Sequence, residues 1–546
     1  MKITLAQINP TVGAIALNKE RIIASIHQAK KEKSDLLLTP ELALCGYPPL
    51  DLLFLPHFVE DLEKALLEIL PETKDITILL GTVRKNPSKK EKFLFNSAAL
   101  LQNGQILDFY DKQLLPTYDV FDERRYFEPG TKPLIFELCQ KRMAVTICED
   151  LWQHSKLLKD TCYYHDPVLQ LQSKNIDLLL NLSASPYSIH KPHTRIEIAK
   201  RAAITLKCPL ILCNQVGAND GLIFDGHSML IDAHGKLNLF AKGFSEEILS
   251  LSPFSHAPIN PSYNEIEGLY RALVMGVRDY FHKLGFTKAC LGLSGGIDSA
   301  LVACIATEAL GPENVLALSM PSLYSSNECK KDALFLAKTL KIRFKELSID
   351  PLFQCFLNTL SQPLNLATND ITEENLQARI RGMLLMAFSN KENSLLLNTA
   401  NKSELAMGYS TLYGDSCGAL SVLGDVYKTM LYQLANWIHD TSHTIPLSII
   451  ERAPSAELRP NQKDSDSLPD YDLLDKILCD YIEMGLSIKE IGRKNNVHPD
   501  YVAIWIKKLH QNEYKRKQSP LILRVTEKAL TPLVGRHIPT VHKYIR

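Results

Sequence analysis

The fold is decided by one stretch of the chain, which reads Ala289-Cys290-Leu291-Gly292-Leu293-Ser294-Gly295-Gly296-Ile297-Asp298-Ser299-Ala300. Its first residues are apolar and uncharged and predict a buried strand, whereas residues 297–310 are rich in Ala and Leu and predict a helix. Two glycines between them let the backbone approach a ligand closely, and the free amides at a helix N-terminus attract anions. The stretch therefore predicts a phosphate-binding turn between a strand and a helix.

The side chains of this turn point to a particular kind of phosphate loop. Ser294 and Ser299 add hydroxyl donors, and the carboxylate of Asp298 suits a site where a divalent cation lies between it and the phosphates. The Lys of the Gly-x-x-x-x-Gly-Lys-Ser/Thr loop is missing. Ser-Gly-Gly-x-Asp-Ser resembles the loop of ATP pyrophosphatases, which split ATP into AMP and pyrophosphate while adenylating a substrate. The alternative interpretation is a serine-glycine turn that opens a core helix, and the full six-residue pattern argues against it.

Composition narrows the class of protein. A length of 546 residues predicts two to four domains. The 61 basic and 61 acidic residues argue against a nucleic-acid or membrane partner that is recognised through bulk charge. No apolar run predicts a bilayer span, the first five residues predict a strand and no signal peptide, and the 12 cysteines lack Cys-x-x-Cys pairs. We therefore expect a cytoplasmic protein with small-molecule substrates.

The first 250 residues alternate apolar runs with amphipathic segments. Strands are predicted at 3–8, 35–38, 76–80, 98–101, 143–147, 176–180 and 210–212. Residues 18–31 predict a helix between the first two strands. Such alternation predicts a layered α/β domain.

Three polar residues follow predicted strands and form a sufficient set for amide hydrolysis. They are Glu41, Lys112 and Cys148. A thiolate is the nucleophile, a carboxylate is the general base and then the acid, and an ammonium stabilises the tetrahedral oxyanion, so that no histidine is needed. Taken singly, each has a structural alternative, because a Cys that ends an apolar strand usually belongs to the core and a Lys or Glu there is usually solvated.

The sequences around these residues carry a resemblance to a known family. They are Pro40-Glu41-Leu42 with Gly46-Tyr47-Pro48-Pro49, Tyr110-Asp111-Lys112 with Phe121-Asp122-Glu123-Arg124-Arg125-Tyr126-Phe127, and Ile147-Cys148-Glu149-Asp150-Leu151-Trp152. They resemble the nitrilase-type amidase domain in its glutaminase form, with Glu, Lys and Cys in the same order. The resemblance implies Glu41 as general base, Lys112 as oxyanion stabiliser and Cys148 as nucleophile. It also implies a glutamine pocket that is lined by Tyr47, Tyr118, Phe121, Glu123, Glu149, Ser185 and Lys191.

A Pro- and Ser-rich stretch, residues 251–264, predicts a linker between domains 1–250 and 265–546. After the phosphate loop, strands at 314–320, 343–349 and 394–399 alternate with helices at 327–339 and 373–390. This order predicts a doubly wound parallel sheet, with nucleotide-binding loops at the carboxyl ends of its strands. The fold expected for the whole chain is a nitrilase-like α-β-β-α sandwich followed by a sheet of the adenine nucleotide α-hydrolase type.

Further motifs in the second half resemble the NAD synthetase family, and together with the first half its glutamine-dependent form. They are Asn375-Leu376-Gln377-Ala378-Arg379-Ile380-Arg381, Gly408-Tyr409-Ser410-Thr411-Leu412-Tyr413-Gly414-Asp415, Gly424-Asp425-Val426-Tyr427-Lys428-Thr429 and Pro454-Ser455-Ala456-Glu457-Leu458. The resemblance implies that ATP adenylates the carboxylate of nicotinic acid adenine dinucleotide (deamido-NAD) and that ammonia from glutamine then displaces AMP. A carboxylate does not react with ammonia, and adenylation supplies the leaving group.

The resemblance also implies which residues bind each reactant. For ATP it implies Ser294, Gly295, Gly296, Asp298, Ser299, Met320 and Thr399. For deamido-NAD it implies Asn375, Arg381, Asp415, Lys428 and Lys515. Magnesium is expected on Asp298 and Glu404, since a hard cation with oxygen ligands suits phosphate displacement. A homo-oligomer is expected from the resemblance alone.

Two segments near the C-terminus call for separate interpretation. Residues 464–467, Asp-Ser-Asp-Ser, predict a mobile loop that closes over the intermediate, with a solvated surface loop as the alternative. Residues 473–512 predict helices whose arrangement is similar to a helix-turn-helix. We interpret them as packing units and not as a DNA-binding motif. Residues 514–520 resemble the family's basic tail, but Leu521-Ile522-Leu523 departs from the Pro-Gly that is usual there.

Two other functions were weighed against this one. The first is an amidotransferase with the same phosphate loop that acts on a different carboxylate or nucleotide acceptor, and the motifs around Asp415 and Lys428 argue against it. The second is a binding or scaffolding protein in which one half has decayed. The intact set of Glu41, Lys112 and Cys148 and the intact phosphate loop argue against the second.

Overall fold

The computed structural model describes residues 1–88, 91–157, 161–255, 257–364, 370–460, 462–531, 535–542 and 544. The chain divides into two compact units, Met1–Tyr263 and Asn264–Arg546, hereafter unit 1 and unit 2. The predicted linker includes residue 256, which lies outside the described residues. None of the described helices is both long and apolar enough to cross a membrane.

Unit 1 is built from fourteen strands and five α-helices in its described part. The strands are β1 Ile3–Gln7, β2 Leu36–Leu38, β3 Thr77–Lys85, β4 Leu94–Gln102, β5 Gln105–Asp111, β6 Ile135–Leu138, β7 Lys141–Ile147, β8 Leu178–Ser183, β9 Leu210–Asn214, β10 Val216–Asn219, β11 Leu222–Asp225, β12 Met229–Ile231, β13 Leu237–Phe240 and β14 Glu247–Leu251. The helices are α1 Ile15–Lys31, α2 Pro56–Ile69, α3 Trp152–Ser155, α4 Pro167–Leu171 and α5 Lys191–Leu206.

Two six-stranded mixed sheets pack face to face in unit 1. Their strand orders are β14-β1-β2-β3-β4-β5 and β13-β12-β9-β8-β7-β6. Alternate residues of each strand point to one face, so Leu36 and Leu38 of the first sheet share a buried cluster with Leu180 and Leu182 of the second. The opposite face of the second sheet, including Leu179, packs on α5. Helices α1 and α2 cover the first sheet, and this confirms the predicted α-β-β-α sandwich.

Unit 2 contains six strands and twelve α-helices in its described part. The strands are β15 Ala289–Gly292, β16 Val315–Ser319, β17 Arg343–Glu346, β18 Leu395–Asn398, β19 Leu420–Ser421 and β20 Leu521–Ile522. The helices are α6 Glu265–Leu284, α7 Ile297–Leu310, α8 Asn327–Leu340, α9 Asp350–Leu364, α10 Ile371–Glu392, α11 Lys402–Met407, α12 Lys428–Ser442, α13 Leu447–Ile450, α14 Tyr471–Ile482, α15 Ile488–Asn495, α16 Pro499–Gln511 and α17 Glu513–Arg516.

The sheet of unit 2 is parallel throughout, in the order β17-β16-β15-β18-β19-β20. This confirms the predicted doubly wound sheet. The strand order reverses between β15 and β18, and ligands bind at such a switch point, outside the carboxyl ends of the strands. The phosphate loop follows β15, and Thr399 follows β18. The topology therefore brings these two loops to the same edge of the sheet.

Three details differ from the sequence-based expectation. The strand predicted at 343–349 ends at Glu346. Residues 464–466 form one turn of 3₁₀ helix in which Asp464 is buried, so the interpretation as a solvated surface loop is wrong for Asp464. Leu521 and Ile522 form β20 at the edge of the sheet, and this explains the apolar residues that depart from the family pattern.

Candidate active sites

Unit 1 brings Glu41, Lys112 and Cys148 to neighbouring strand ends. Glu41 lies shortly after β2, Lys112 directly after β5 and Cys148 directly after β7. Glu41 and Lys112 are each 1% exposed, and Cys148 is 7% exposed. Polar side chains with so little exposure must be satisfied by one another or by a bound substrate.

The ammonium of Lys112 is held by two carboxylates. Its Nζ atom donates to Glu41 Oε1 at 2.7 Å and to Glu123 Oε1 at 2.7 Å. Asn96 Nδ2 also donates to Glu41 Oε1, at 2.7 Å, and the backbone amide of Ala184 donates to Glu41 Oε2 at 3.1 Å. Glu41 is therefore fixed by three donors. If Lys112 moved away, Glu41 and Glu123 would be left buried without their cation.

Glu123 and Tyr47 belong to this ionic cluster. The Tyr47 hydroxyl donates to Glu123 Oε1 at 2.9 Å, beside the bond from Lys112. Both side chains were predicted to bind glutamine, and in the structure their polar atoms serve Lys112 directly or through Glu123. Asn96 lies within β4 and was missed. A large polar side chain next to Phe95 in a mostly apolar strand was the available signal.

Burial and the ionic contacts set the protonation states at this site. Burial works against the charge of Lys112, but the carboxylates of Glu123 and Glu41 outweigh it and hold the pKa of Lys112 well above its ordinary value. Burial raises the pKa of the Cys148 thiol, Glu41 adds to the rise, and Lys112 offsets only part of it. Burial also raises the pKa of Glu123 to about 7 against the effect of Lys112. Cys148 is therefore a neutral thiol at rest and needs a base to become a nucleophile.

The turn that carries Cys148 is tied to the segment that carries Lys112. Cys148 has a φ of +39°, a backbone conformation that residues other than glycine rarely adopt unless neighbouring contacts hold it. The support comes from Asp150, which is fully buried and accepts bonds from the Ile147 amide at 2.9 Å and the Tyr110 hydroxyl at 2.8 Å. Its other oxygen accepts from the Gln113 and Leu114 amides, at 3.1 and 2.9 Å. One carboxylate thus fixes the segments that carry Cys148 and Lys112 relative to each other.

Next to Cys148, Glu149 presents a second buried carboxylate. It accepts from the Tyr118 hydroxyl at 3.0 Å and from the Tyr163 hydroxyl at 3.0 Å. Burial raises the pKa of Glu149 to about 7, while Lys112, Tyr163, Tyr118 and Lys191 lower it. Tyr163 was not predicted, because no pattern in its surroundings marks it.

Of the remaining residues predicted to bind glutamine, Phe121 contacts a partner of Glu149 and Lys191 acts on its charge. Phe121 contacts the Tyr118 ring edge-on, with centroids 5.4 Å apart, and Lys191 Nζ lies 4.1 Å from the Trp152 ring centroid. Ser185 is buried, and its amide donates to Asn214 Oδ1 at 3.0 Å. An acidic group beside a cationic one suits the amino and carboxylate groups of an amino acid.

Unit 2 has a cavity of about 330 Å³ at the switch point of its sheet. It is lined by ten of the predicted residues, namely Ser294, Gly296, Asp298, Ser299, Met320, Arg381, Thr399, Glu404, Asp415 and Lys428. Gly295, Asn375 and Lys515 are not among its lining residues. The Asn375 side chain accepts from Thr411 at 2.7 Å, and Lys515 Nζ donates to the carbonyl oxygens of Gly408 and Ser410.

Gly295 has a structural requirement of its own. It has a φ of +89°, and a Cβ there would lie 2.2 Å from the carbonyl oxygen of Cys329. Only glycine fits both the left-handed conformation and this close approach to α8. Gly295 therefore shapes the phosphate loop, and its place in the binding of ATP stays a prediction.

The charged groups of the cavity meet at Asp298. Lys428 Nζ donates to Asp298 Oδ2 at 2.5 Å and lies 3.9 Å from Glu404 Oε1, and Asn401 Nδ2 donates to Asp298 Oδ1 at 2.8 Å. These two carboxylates raise the pKa of Lys428 against the effect of its burial. Asn401 also caps α11.

The residues present fit a magnesium ion. Burial raises the pKa of Glu404 to about 8, and Asp298 adds to the rise, so a nearby cation would stabilise the ionised form. Magnesium is usually held by one or two carboxylates together with substrate phosphates. Among the residues that the structure describes, no group of three or more His, Cys, Asp or Glu side chains could hold a metal without such help.

Arg381, Arg452 and Asp464 complete the wall of the cavity. Arg381 donates from Nε to the Met320 carbonyl at 3.0 Å, and burial lowers the pKa of Arg381 to about 10. Arg452, which was missed, donates to the Gly295 carbonyl at 3.1 Å. Its position in the sequence carries no recognisable signal, because the contact joins segments more than 150 residues apart.

Comparisons with known proteins agree with this division of the chain. The family model described as carbon-nitrogen hydrolase matches residues 2–251, and the one described as NAD synthase matches residues 269–519. The chain is 46% identical to a glutamine-dependent NAD(+) synthetase from a Synechocystis species, over 96% of each chain. It is 41% identical to one from Acinetobacter baylyi, over 97% of this chain and 96% of the relative. A solved structure of the enzyme from Acinetobacter baumannii, in complex with adenosine diphosphate, superposes with a TM-score of 0.77 at 37% identity and covers 98% of both chains.

Proposed function

Because the chain belongs to the glutamine-dependent NAD(+) synthetases, we propose that unit 1 releases ammonia at Cys148 and that the unit 2 cavity uses it. The chain is a carbon-nitrogen ligase that makes NAD from deamido-NAD, ATP and glutamine. This confirms the function predicted from the sequence, and the relatives give no support to the alternative acceptor. The proposal concerns which residues do the work.

In unit 1, Glu41 takes the proton of the Cys148 thiol as the sulfur attacks the amide carbon of glutamine. Lys112 stabilises the oxyanion of the tetrahedral intermediate, since its ammonium is fixed by two bonds of 2.7 Å. Glu41 then gives the proton to the leaving ammonia, and the acyl group stays on the sulfur as a thioester. In the second half of the cycle Glu41 takes a proton from water, which attacks the thioester, and glutamate leaves.

The observation that carries this assignment is the bonding of Glu41. Its carboxylate is held by Lys112, Asn96 and the Ala184 amide, so it is a fixed base within a buried site. We assign Glu149, Tyr118, Phe121, Ser185 and Lys191 to the binding of glutamine, as the sequence predicted, and give Tyr47 and Glu123 the role of holding Lys112.

In unit 2, the amides and hydroxyls of residues 294–299 bind the phosphates of ATP, as the N-terminus of α7 favours. Lys428 neutralises charge that develops on the transferred adenylyl group. Arg381 and Asp415, which line the cavity, contact deamido-NAD, and Asn375 and Lys515 stay assigned to the same substrate from the family resemblance. Asp298 and Glu404 hold a magnesium ion, which supplies charge neutralisation at the phosphates.

Replacement of the nucleophile tests the division of labour. Cys148→Ala should abolish NAD formation from glutamine and leave NAD formation from ammonium within about twofold of the wild type, since the chemistry of unit 2 needs no thiol. Cys162→Ala, an exposed cysteine of the same unit, is the matched control. If Cys148→Ala keeps its glutamine-driven synthesis, the nucleophile is misassigned.

We further propose a homo-oligomer in the cytoplasm. Exposed apolar side chains on unit 1, Leu50, Phe54 and Leu55, support an interface between subunits, because such a patch is costly in water. Light scattering coupled to size exclusion measures the mass in solution. A mass equal to one chain, 61.4 kDa, would contradict the proposal.

A further inference from the structure

A second tyrosine donates to the buried carboxylate that follows Cys148. Glu149 is 3% exposed, and its Oε1 accepts from the hydroxyl of Tyr118 and from that of Tyr163, both at 3.0 Å. The Tyr118 hydroxyl also lies 3.1 Å from Glu149 Oε2. Tyr118 belongs to the predicted glutamine pocket, whereas Tyr163 has no role in the chemistry described above. Its hydroxyl needs an explanation, because it occupies an acceptor position on a carboxylate that we assign to the substrate.

The segment that carries Tyr163 is anchored by two contacts with helix α3. The backbone amide of Tyr163 donates to Gln153 Oε1 at 3.1 Å. Three residues on, Asp166 caps α4 and contacts His154 Nδ1 at 2.9 Å. Helix α3 directly follows the turn that carries Glu149. The contacts of this segment therefore place the Tyr163 hydroxyl at Glu149.

Hydrogen bonds from the two hydroxyls favour the charged form of Glu149. Burial raises the pKa of Glu149 to about 7, and four groups lower it, which are Lys112, Tyr163, Tyr118 and Lys191. Because this pKa is close to neutral, the loss of one donor changes the fraction of Glu149 that is ionised at neutral pH. Burial and the charge of Glu149 raise the pKa of Tyr163 itself, so its hydroxyl keeps its proton and acts as a donor.

The charge of Glu149 bears on which amide the site accepts. An ionised carboxylate attracts the α-ammonium group of glutamine, and a protonated one does not. Glutaramate, in which hydrogen replaces that ammonium group, has the same terminal amide and the same carboxylate. We propose that Tyr163 is a specificity-determining residue, which holds Glu149 in the charged form that selects an amide with an α-ammonium group. The proposal rests on the assignment of Glu149 to glutamine made above.

The test compares the two amides with the full-length enzyme, in the presence of ATP, magnesium and deamido-NAD. Formation of glutamate or of glutarate measures the hydrolysis, and kcat and KM are obtained for each amide. Tyr163→Phe removes the hydroxyl and keeps the ring. Tyr164→Phe is the matched control, because Tyr164 is the next residue and its side chain is fully exposed. Glu149→Gln removes the charge itself.

We expect Tyr163→Phe to lower kcat/KM for glutamine about 5- to 30-fold, mainly through KM, as for the loss of a hydrogen bond to a charged group. The kinetics with glutaramate should stay within about twofold of the wild type, and Tyr164→Phe should change neither amide's kinetics. Equal losses for both amides would overturn the proposal, because Tyr163 would then only shape the pocket. Unchanged kinetics with glutamine would also overturn it.

The pH profile gives a second readout that needs no second substrate. Without one donor the pKa of Glu149 rises further, so more of the carboxylate is protonated at a given pH. The acid limb of kcat/KM for glutamine should therefore move to higher pH in Tyr163→Phe, and the difference from the wild type should narrow as pH rises. The substitution leaves in place the other groups that act on Glu149 or on its neighbour, namely Lys112, Lys191, Tyr118 and Cys148. An unshifted profile would overturn the proposal, since a change of shape alone does not alter the titration of Glu149.

Glu149→Gln separates this proposal from the assignment on which it rests. If this variant prefers glutamine over glutaramate as strongly as the wild type does, Glu149 does not receive the ammonium group and the assigned glutamine pocket is wrong. If Glu149→Gln loses the preference and Tyr163→Phe keeps it, the pocket stands and Tyr163 has no part in the selection.

Discussion

The two candidate sites differ in how completely their charged side chains are paired with other side chains of the protein. In unit 1, Lys112 is 1% exposed and is bonded to two carboxylates, each of which has a further donor. In unit 2, the cavity-lining Glu404 accepts from the Asn401 amide at 3.2 Å, and its other oxygen lies 3.9 Å from Lys428 Nζ. The first site is therefore preorganised before its substrate arrives, whereas the second is completed by its ligands.

The chemistry of each reaction explains the difference. Hydrolysis of glutamine needs a nucleophile, a base and an oxyanion stabiliser, and we propose side chains of unit 1 for all three. Adenylation uses two polyanionic substrates, and in the cavity that we propose for them their charges would supply part of the electrostatic balance. A site that was already saturated by its own bonds would have to break them before it could bind phosphates.

The largest expected contrast comes from removal of the central lysine of each site. Lys112→Met leaves Glu41 and Glu123 buried without their cation, and we expect unit 1 to lose about 3–5 kcal/mol of unfolding free energy together with its glutaminase activity. Lys428→Met leaves Asp298, whose side chain is 20% exposed and keeps its bond from Asn401, so unit 2 should lose only about 1–3 kcal/mol. Its ammonium-driven synthesis should nevertheless fall about 10²- to 10³-fold.

Calorimetry of the ligand-free variants measures the first effect, and initial rates measure the second. Lys85→Met, at an exposed ion pair with Glu63, is the control for the loss of a lysine charge and should leave the melting temperature unchanged. Equal destabilisation by Lys112→Met and Lys428→Met would contradict the distinction between a preorganised site in unit 1 and a site in unit 2 that its ligands complete.

A smaller effect is expected from the carboxylate that ties the two catalytic segments of unit 1 together. Asp150→Asn replaces one acceptor oxygen by NH₂, which cannot accept from both the Ile147 amide and the Tyr110 hydroxyl. We expect kcat for glutamine hydrolysis to fall about tenfold or more with KM little changed, since a small displacement of the nucleophile costs rate more than binding. Ammonium-driven synthesis by the same variant is the internal control. A loss of both activities would mean that Asp150 only maintains the fold.

The smallest effect is a change in the pH dependence of stability. Burial raises the pKa of Glu149 to about 7 in the folded chain, against 4.5 for the free side chain. Between these values the folded state binds more protons than the unfolded state, so this group destabilises the fold progressively as pH rises from 4.5 to about 7.

Glu149→Gln removes that penalty, since glutamine carries no charge. The melting temperature of the variant minus that of the wild type should therefore be larger at pH 8 than at pH 5. Glu20→Gln, at an exposed position, should show no such trend. A difference that is independent of pH would show that Glu149 does not change its protonation between these conditions.

Much of the fold could be predicted because it follows from local patterns. The helix Ile297–Leu310 begins and ends where its run of Ala and Leu residues predicts it. The turn at Asp464 could not be predicted, because its charged residues indicate exposure, and only contact with Tyr471 in α14 buries the carboxylate. Strand β20 was likewise hidden, since two apolar residues acquire a conformation only when an edge of the sheet is available.

The sequence by itself determined which residues are candidates for the chemistry: the proposed nucleophile, base and oxyanion stabiliser of unit 1, and the proposed phosphate loop of unit 2, lie in short motifs whose residue types the reactions require. Only the tertiary structure decided how those groups are bonded. Lys112 contacts Glu123, the Asp150 carboxylate joins two strand ends, and Lys428 contacts Asp298. Such contacts join residues that are distant in the chain, and their distances and protonation depend on burial, which no local pattern encodes.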